Sequence, residues 1–315
     1  MNQWCFLVLA SFCLVVSAAE PPTYDPNIIL SDASSDNTIS RQRTYADVAA
    51  HELAHQWFGD LVTASIASPS TSLKLYILDG RPFVSNVFLN GRGPYRFLLD
   101  TGAKSNQVDT TIARELGATA TFRTDLFTPG GSIRVVGARL AEVTLGDAHA
   151  ANQEFLFTNL DSIRALSKDV QGVLGQEFLS HFDYLLDLRS KTLTFGAAEP
   201  AGDRVATGLI DGLISVATSV GRLVLDSGTE TLVLFHIPMG ITDSTIRTAA
   251  GVTAVSSFAS LSLQIAGRDY HPRQSAVISQ PDLVEDGLLP LSLLKAVYIS
   301  SSLGYIVVDP GPSKR

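Results

Sequence analysis

Three short stretches of this chain hold the residue types that hydrolytic chemistry needs. In "HELAHQWFGD" (51–60), His51 and His55 are four apart. On a helix they share one face, a spacing that suits a common Zn²⁺, with Glu52 placed to polarise a bound water. "FLLDTGA" (97–103) and "LVLDSGT" (223–229) each put an aspartate straight after three apolar residues. A carboxylate there is costly unless it is partnered. Thr101 and Ser227 supply a hydroxyl beside each one, and Gly102 and Gly228 let the backbone turn tightly and approach another segment closely. Two such loops meeting face to face would set Asp100 beside Asp226. Like charges that close resist joint ionisation, so the pair would hold one proton over an acidic to near-neutral range. One aspartate could then act as base toward water while the other donates a hydrogen bond to a scissile carbonyl.

A single Asp-Thr/Ser-Gly is common and is explained by turn formation alone. Its recurrence inside a longer repeat is more informative. "ILDGRPFVSNVFLNGRGPYRFLLDTGA" (77–103) parallels "LIDGLISVATSVGRLVLDSGT" (209–229). "FTPGGSIRVVGARLAEVTLG" (127–146) parallels "RTAAGVTAVSSFASLSLQIAG" (247–267), and "GVLGQEFLSHFDYLLDLRSKTLTF" (172–195) parallels "GLLPLSLLKAVYISSSLGYIVVD" (287–309). The three blocks keep the same order in both halves. Alternating β-branched and aromatic residues, punctuated by Gly, Pro, Asn and Asp, predict strands throughout. The expected architecture is therefore all-β with a few short helices, at about 109–117, 160–168, 175–182 and 291–297. Two β lobes related by a pseudo-twofold axis would span 73–196 and 204–310. A Gly/Ala/Pro-rich linker at 197–203 joins them, and a short tail occupies 311–315.

With those motifs on the page, residues 73–310 resemble the retropepsin-like and pepsin-like aspartic peptidases. The likeness is greatest to secreted bacterial members that carry two retropepsin-like lobes in one chain. "LLDTGA" resembles the retroviral form of the motif and "LDSGT" the form of pepsin C-terminal lobes. "GVLGQEFL" and "GLLPLSLL" resemble the aliphatic strand that passes under each catalytic aspartate, with Pro290 standing where that family has Gly. The resemblance implies endopeptidase activity on an extended peptide, no cofactor, and a β-hairpin flap from each lobe. The first flap would be about 125–137 with Gly130 and Gly131 at its tip; the second would be about 246–256. Neither stretch contains the Tyr that pepsins carry there.

Residues 24–63, around the His-Glu-Leu-Ala-His core, resemble the gluzincin aminopeptidases of the alanyl aminopeptidase type. A catalytic zinc needs three protein ligands and one open position. At the spacing where that family places its third ligand, a glutamate, this chain has Lys74, and no Glu occurs between Glu52 and Glu115. The expectation is a fragment without catalytic zinc, so that metal ligands are none and His51, Glu52 and His55 remain candidates only under a zinc reading. Residues 20–72 are read as this helix plus a flexible linker. His149, His181, His236 and His271 lack ligand spacing and are expected to be structural. Asp79 and Asp211 sit in repeated Asp-Gly turns, which turn formation accounts for.

The first nineteen residues, "MNQWCFLVLASFCLVVSAA", form an apolar run ending in small residues, the pattern of a cleaved secretory signal peptide, although no basic residue precedes the run. Both cysteines, Cys5 and Cys13, lie within it, so a processed chain would have no disulfide or catalytic thiol. A net charge of −8 argues against nucleic acid or anionic membrane as partner. The expected protein is a secreted or periplasmic aspartic endopeptidase acting on peptide or protein substrates. No stable membrane association is expected, and a monomer is sufficient. The alternatives are a zinc-dependent aminopeptidase-like enzyme and an inactive peptide-binding protein of the same fold.

Overall fold

The computed structural model describes residues 5–7, 12–14, 64–66, 72–237, 244–258, 261–280 and 283–310. His51, Glu52, His55 and the surrounding helix expected from sequence lie outside the described residues, as does the anticipated cleavage point.

The chain is all-β with a few short helices. Among the described residues, the strands form a 15-stranded sheet, a 9-stranded sheet and a 2-stranded ribbon. The strand that leads into Asp100, Arg92–Leu99, runs from exposed to buried: its first residues are open to solvent and Phe97, Leu98 and Leu99 are fully buried. Leu223, Val224 and Leu225 are likewise fully buried before Asp226. Three consecutive buried residues require cover on both faces of a strand, which is why these segments read as continuous apolar runs.

That cover is built the same way in each half. Gly172–Leu174 lies parallel to Arg92–Leu99 and antiparallel to Asn106–Asp109. Gly287–Pro290 lies parallel to Gly221–Asp226 and antiparallel to Leu232–Leu234. Pro290 ends its strand opposite Asp226, where its missing N–H interrupts nothing further along the ladder. Below the two aspartates the halves join. Tyr184–Asp187 pairs antiparallel with Ala296–Ser300, each backed by its own hairpin partner, Thr192–Phe195 or Tyr305–Val308. Arg204–Ala206 forms one edge of this sheet, and Ser72–Leu78 carries it on from Thr192–Phe195 into Arg81–Leu89.

The helices fall near three of the expected places: Thr110–Glu115, Asp161–Arg164 and Gln176–Leu179. The fourth differs. Around 291–297 there is only a 3₁₀ turn, Leu291–Leu293, followed by the strand Ala296–Ser300. Pro290 and Leu294 are both extended, and the β-prone "AVYIS" is claimed by its pairing with Tyr184–Asp187.

Two hairpins form where flaps were expected, Phe122–Thr128 with Gly131–Leu145 and Ser244–Thr248 with Gly251–Phe258. Short pairings at the sheet margins involve Cys5–Leu7, against Ser244–Thr248, and Phe12–Leu14, against Phe122–Thr128. Among the described residues no helix is long and apolar enough to cross a membrane.

Candidate active site

The structure brings the two Asp-Thr/Ser-Gly loops together. Each loop lies at the end of a fully buried strand, and Asp100 and Asp226 are themselves fully buried. The contacts between the loops are reciprocal. Thr101 Oγ1 donates to the Leu225 carbonyl at 2.8 Å and accepts from Ser227 N–H at 3.0 Å. Ser227 Oγ donates to the Leu99 carbonyl at 2.6 Å and accepts from Thr101 N–H at 3.0 Å. Both hydroxyls are used as donor and as acceptor across the seam, so neither loop can shift without stranding a buried group of the other.

The glycines allow the close approach. A Cβ on Gly102 would fall 2.5 Å from Asp226 Cγ, and one on Gly228 would overlap Asp100 Oδ2. Within each loop a backbone N–H steadies one carboxyl oxygen: Gly102 N to Asp100 Oδ1 at 3.0 Å, and Gly228 N to Asp226 Oδ1 at 2.7 Å. The other oxygen, Oδ2 of each, is buried and receives no donor from any other protein group. The two carboxyls are close enough that the ionisation of each depends on the other.

Burial pushes the Asp100 carboxyl well above the usual carboxylate range, and the neighbouring Asp226 charge adds to the rise. Burial also raises Asp226, to about 6, held back by the Gly228 N–H, the Asp100 hydrogen bond and the Arg81 cation. Both carboxyls therefore hold their protons to higher pH than ordinary carboxyls do.

In the hairpins expected as flaps, Gly130 lies at the tip between paired strands, with Thr248 and Thr253 so close that a Cβ would collide with their hydroxyls. Gly131 (φ 124°) begins the return strand in open space. The two tips touch: Thr128 Oγ1 donates to Thr248 Oγ1 at 3.1 Å, and Gln280 Nε2 donates to the Pro129 carbonyl at 2.8 Å.

Several residues that sequence reasoning passed over support the loops. Gln176 Nε2 donates to the Thr101 carbonyl at 2.8 Å, and its N–H to the Ala103 carbonyl at 2.7 Å. Arg81, fully buried, donates from Nε to the Gly228 carbonyl at 2.8 Å. The Asp-Gly turns form as expected and make further contacts. Asp79 (φ 50°) and Asp211 (φ 49°) do occupy the turn conformation, but their carboxylates also bind, Asp79 Oδ2 to Arg81 at 3.0 Å and Asp211 Oδ1 to Lys104 at 2.5 Å. Their recurrence at matching places was the available signal. Of the remaining histidines, His236 pairs with Asp286 at 2.9 Å and His149 lies 3.7 Å from Glu142. Among the described residues no group of three His, Cys, Asp or Glu side chains is arranged to hold a metal ion.

Comparison with known proteins agrees with the position of the first loop. Residues 85–178 match the family model described as aspartyl protease, and residues 13–66 match the model of the peptidase family M1 domain. No curated protein matches. Among solved structures, a retropepsin-like aspartic protease from Rickettsia conorii is similar at 18% identity, covering 42% of this chain and 92% of that chain, with a TM-score of 0.31. The aspartyl protease match covers well under half of the chain; it contains Asp100, Thr101, Gly102 and the flap glycines, and stops short of Asp226.

Proposed function

We propose that this chain is an aspartic endopeptidase whose two lobes, 73–196 and 204–310, arose by internal duplication and each contribute one aspartate. The observation that carries the reading is the seam itself: two fully buried carboxyls, each with one oxygen lacking a protein donor, locked side by side by reciprocal Thr101 and Ser227 bonds. An inactive peptide-binding protein would have no need to keep such an expensive arrangement.

In the reaction, the ionised carboxylate takes a proton from a bound water as its oxygen attacks the peptide carbonyl carbon. The protonated carboxyl hydrogen-bonds the carbonyl oxygen and transfers its proton as the tetrahedral carbon forms. Collapse breaks the C–N bond as the amine nitrogen takes the proton held by one carboxyl, and a hydroxyl of the tetrahedral carbon returns its proton to the pair as the new carboxylic acid forms, so the pair again holds one proton. These steps draw only on the two carboxyls and the water. The raised pKa of both carboxyls supports a singly protonated pair over a mildly acidic to neutral window. Activity falls below that window because both groups are protonated and above it because both are ionised.

The apolar first nineteen residues support export to the periplasm or the medium. The M1-like segment supports a second reading, in which His51, Glu52 and His55 bind zinc. One assay separates the two: cleavage of a mixed peptide pool from about pH 3 to about pH 8, with pepstatin or a chelator, and zinc measured on the purified chain. Pepstatin-sensitive, chelator-resistant cleavage fits the aspartic reading. Chelator-sensitive cleavage with stoichiometric zinc, lost in the His51→Ala, His55→Ala double variant, overturns it.

A further inference from the structure

The geometry points to Arg81 as the residue of the first half that positions the catalytic loop of the second. The inference rests on the peptidase reading above and adds to it a named residue acting through Gly228.

Arg81 is the largest fully buried side chain among the described residues. A buried cation is unfavourable unless it is paired and its donors are used. Nε donates to the Gly228 carbonyl at 2.8 Å, and Nη1 donates to both the Asp79 carbonyl, at 2.9 Å, and Asp79 Oδ2, at 3.0 Å. Glu230 Oε1 lies 4.0 Å from Nη1. The planar guanidinium therefore bridges a turn of one half and the loop carrying Asp226, in an orientation a lysine could not reproduce. The Asp79-Gly80 turn is itself seated against Glu230 and Ser292 of the second half.

The charged groups around Arg81 come from both halves. Asp79 faces it from its own turn, and Glu230 and Asp226 from the second loop. Arg273 is a further cation acting on Glu230, and Asp100 lies beyond Asp226. Burial raises Glu230 to about 7, and its hydrogen bond with Asp79 adds to the rise, so this end of the cluster titrates near neutrality. The Arg81 cation favours the ionised form of Asp226.

No equivalent exists at the matching place in the second half, where the Asp-Gly turn is followed by Leu213, buried and apolar. The first loop is held instead by Gln176, at the position where the second half has Leu291. Both polar anchors of the catalytic loops thus originate in the first half.

The test uses two readouts on the full chain: kcat and KM across pH, and the titration of the paired aspartates followed by carboxyl-carbon NMR on protein labelled at Asp. Arg81→Met should lower kcat about 10- to 100-fold with little change in KM, as expected for a misplaced reacting group, and move the dyad titration to higher pH. Arg81→Lys should restore the titration but not kcat, because it keeps the charge and loses the fork. Asp79→Asn, at a half-exposed carboxylate, should move the titration the other way by leaving the cation less offset. A purely structural role would lower the folded fraction without moving either midpoint. A folded Arg81→Met with wild-type kcat and titration overturns the assignment. If Arg81→Met does not fold, wild-type kcat in Arg81→Lys together with an unmoved titration in Asp79→Asn overturns it equally. Midpoints that move as described in a wild-type background that cleaves no peptide leave the positioning role standing and remove only the peptidase reading.

Discussion

The two Asp-Gly turns show how the halves of this molecule differ. Asp211 reaches out to Lys104 of the first half and makes one partly exposed ion pair. Asp79 sits at the mouth of a buried arginine that continues to the Gly228 carbonyl. Backbone pairings around the two turns correspond closely, with an antiparallel hairpin leading to the aspartate and an aliphatic strand passing beside it. The side chains do not correspond. At the seam, Thr101 and Ser227 are interchangeable in role. One step outward, Arg81 and Gln176 have only Leu213 and Leu291 as counterparts. A site can thus be symmetric where the chemistry demands two equal partners and asymmetric where the demand is only that something holds each loop.

The largest expected effect tests the symmetric part. Asp100→Asn and Asp226→Asn should each lower kcat by roughly 10³-fold or more while the chain stays folded. Both should be severe, since the proposed reaction needs two carboxyls, one to take a proton from water and one to give a proton to the carbonyl oxygen. Wild-type turnover in either variant would dissolve the dyad.

Next come the hydroxyls. Thr101→Val and Ser227→Ala each leave a buried carbonyl and a buried N–H without partners, a loss of about 1–3 kcal/mol per group. Their melting temperatures should fall by similar amounts. A large difference between them would show that the seam is less reciprocal than its four bonds indicate.

Gln176→Leu imports the second half's residue into the first. It should cost about 1–2 kcal/mol in denaturant unfolding by orphaning the Thr101 carbonyl. It should lower kcat less than Arg81→Met does, because the Ala103 and Lys104 carbonyls still accept from the backbone N–H groups of residues 176 and 177. An effect larger than that of Arg81→Met would reverse the ranking of the two anchors.

Glu177, beside Gln176, sharpens the same comparison through pH. Burial raises its carboxyl to about 7, against the opposing Glu154 N–H. A carboxyl raised on folding binds more protons in the native state than in the unfolded one. Its contribution is therefore fully present below the ordinary value of 4.5 and is lost as pH rises toward 7. Glu177→Gln should flatten the decline of stability across that window, measured by thermal unfolding. A slope identical to wild type would place the titration elsewhere. The smallest effect belongs to the flap contact. Thr248→Val removes the hydrogen bond between the two tips, about 1 kcal/mol, and should change KM no more than about 5-fold with kcat unaltered.

Much of this was legible in the one-dimensional chain. Strands announced themselves through apolar runs and alternation, and the paired motifs through their recurrence, because both signals are local and survive without neighbours. The helix expected at 291–297 failed for the complementary reason. Its residues, "LSLLKAV", run straight into "YIS", a helical pattern giving way to a strand pattern, and the pairing of Ala296–Ser300 with Tyr184–Asp187 decided between them.

By itself, then, the sequence determined the all-β class, the placement of Asp100 and Asp226 at strand ends, and the glycines beside them, since each follows from the conformational limits of a few consecutive residues. Tertiary structure alone decided that Thr101 would serve Leu225, that Gln176 would hold Thr101, and that Arg81 would cross to Gly228, 147 positions away. Such contacts depend on which buried carbonyls folding leaves without a donor, and that is known only once every strand has its partner.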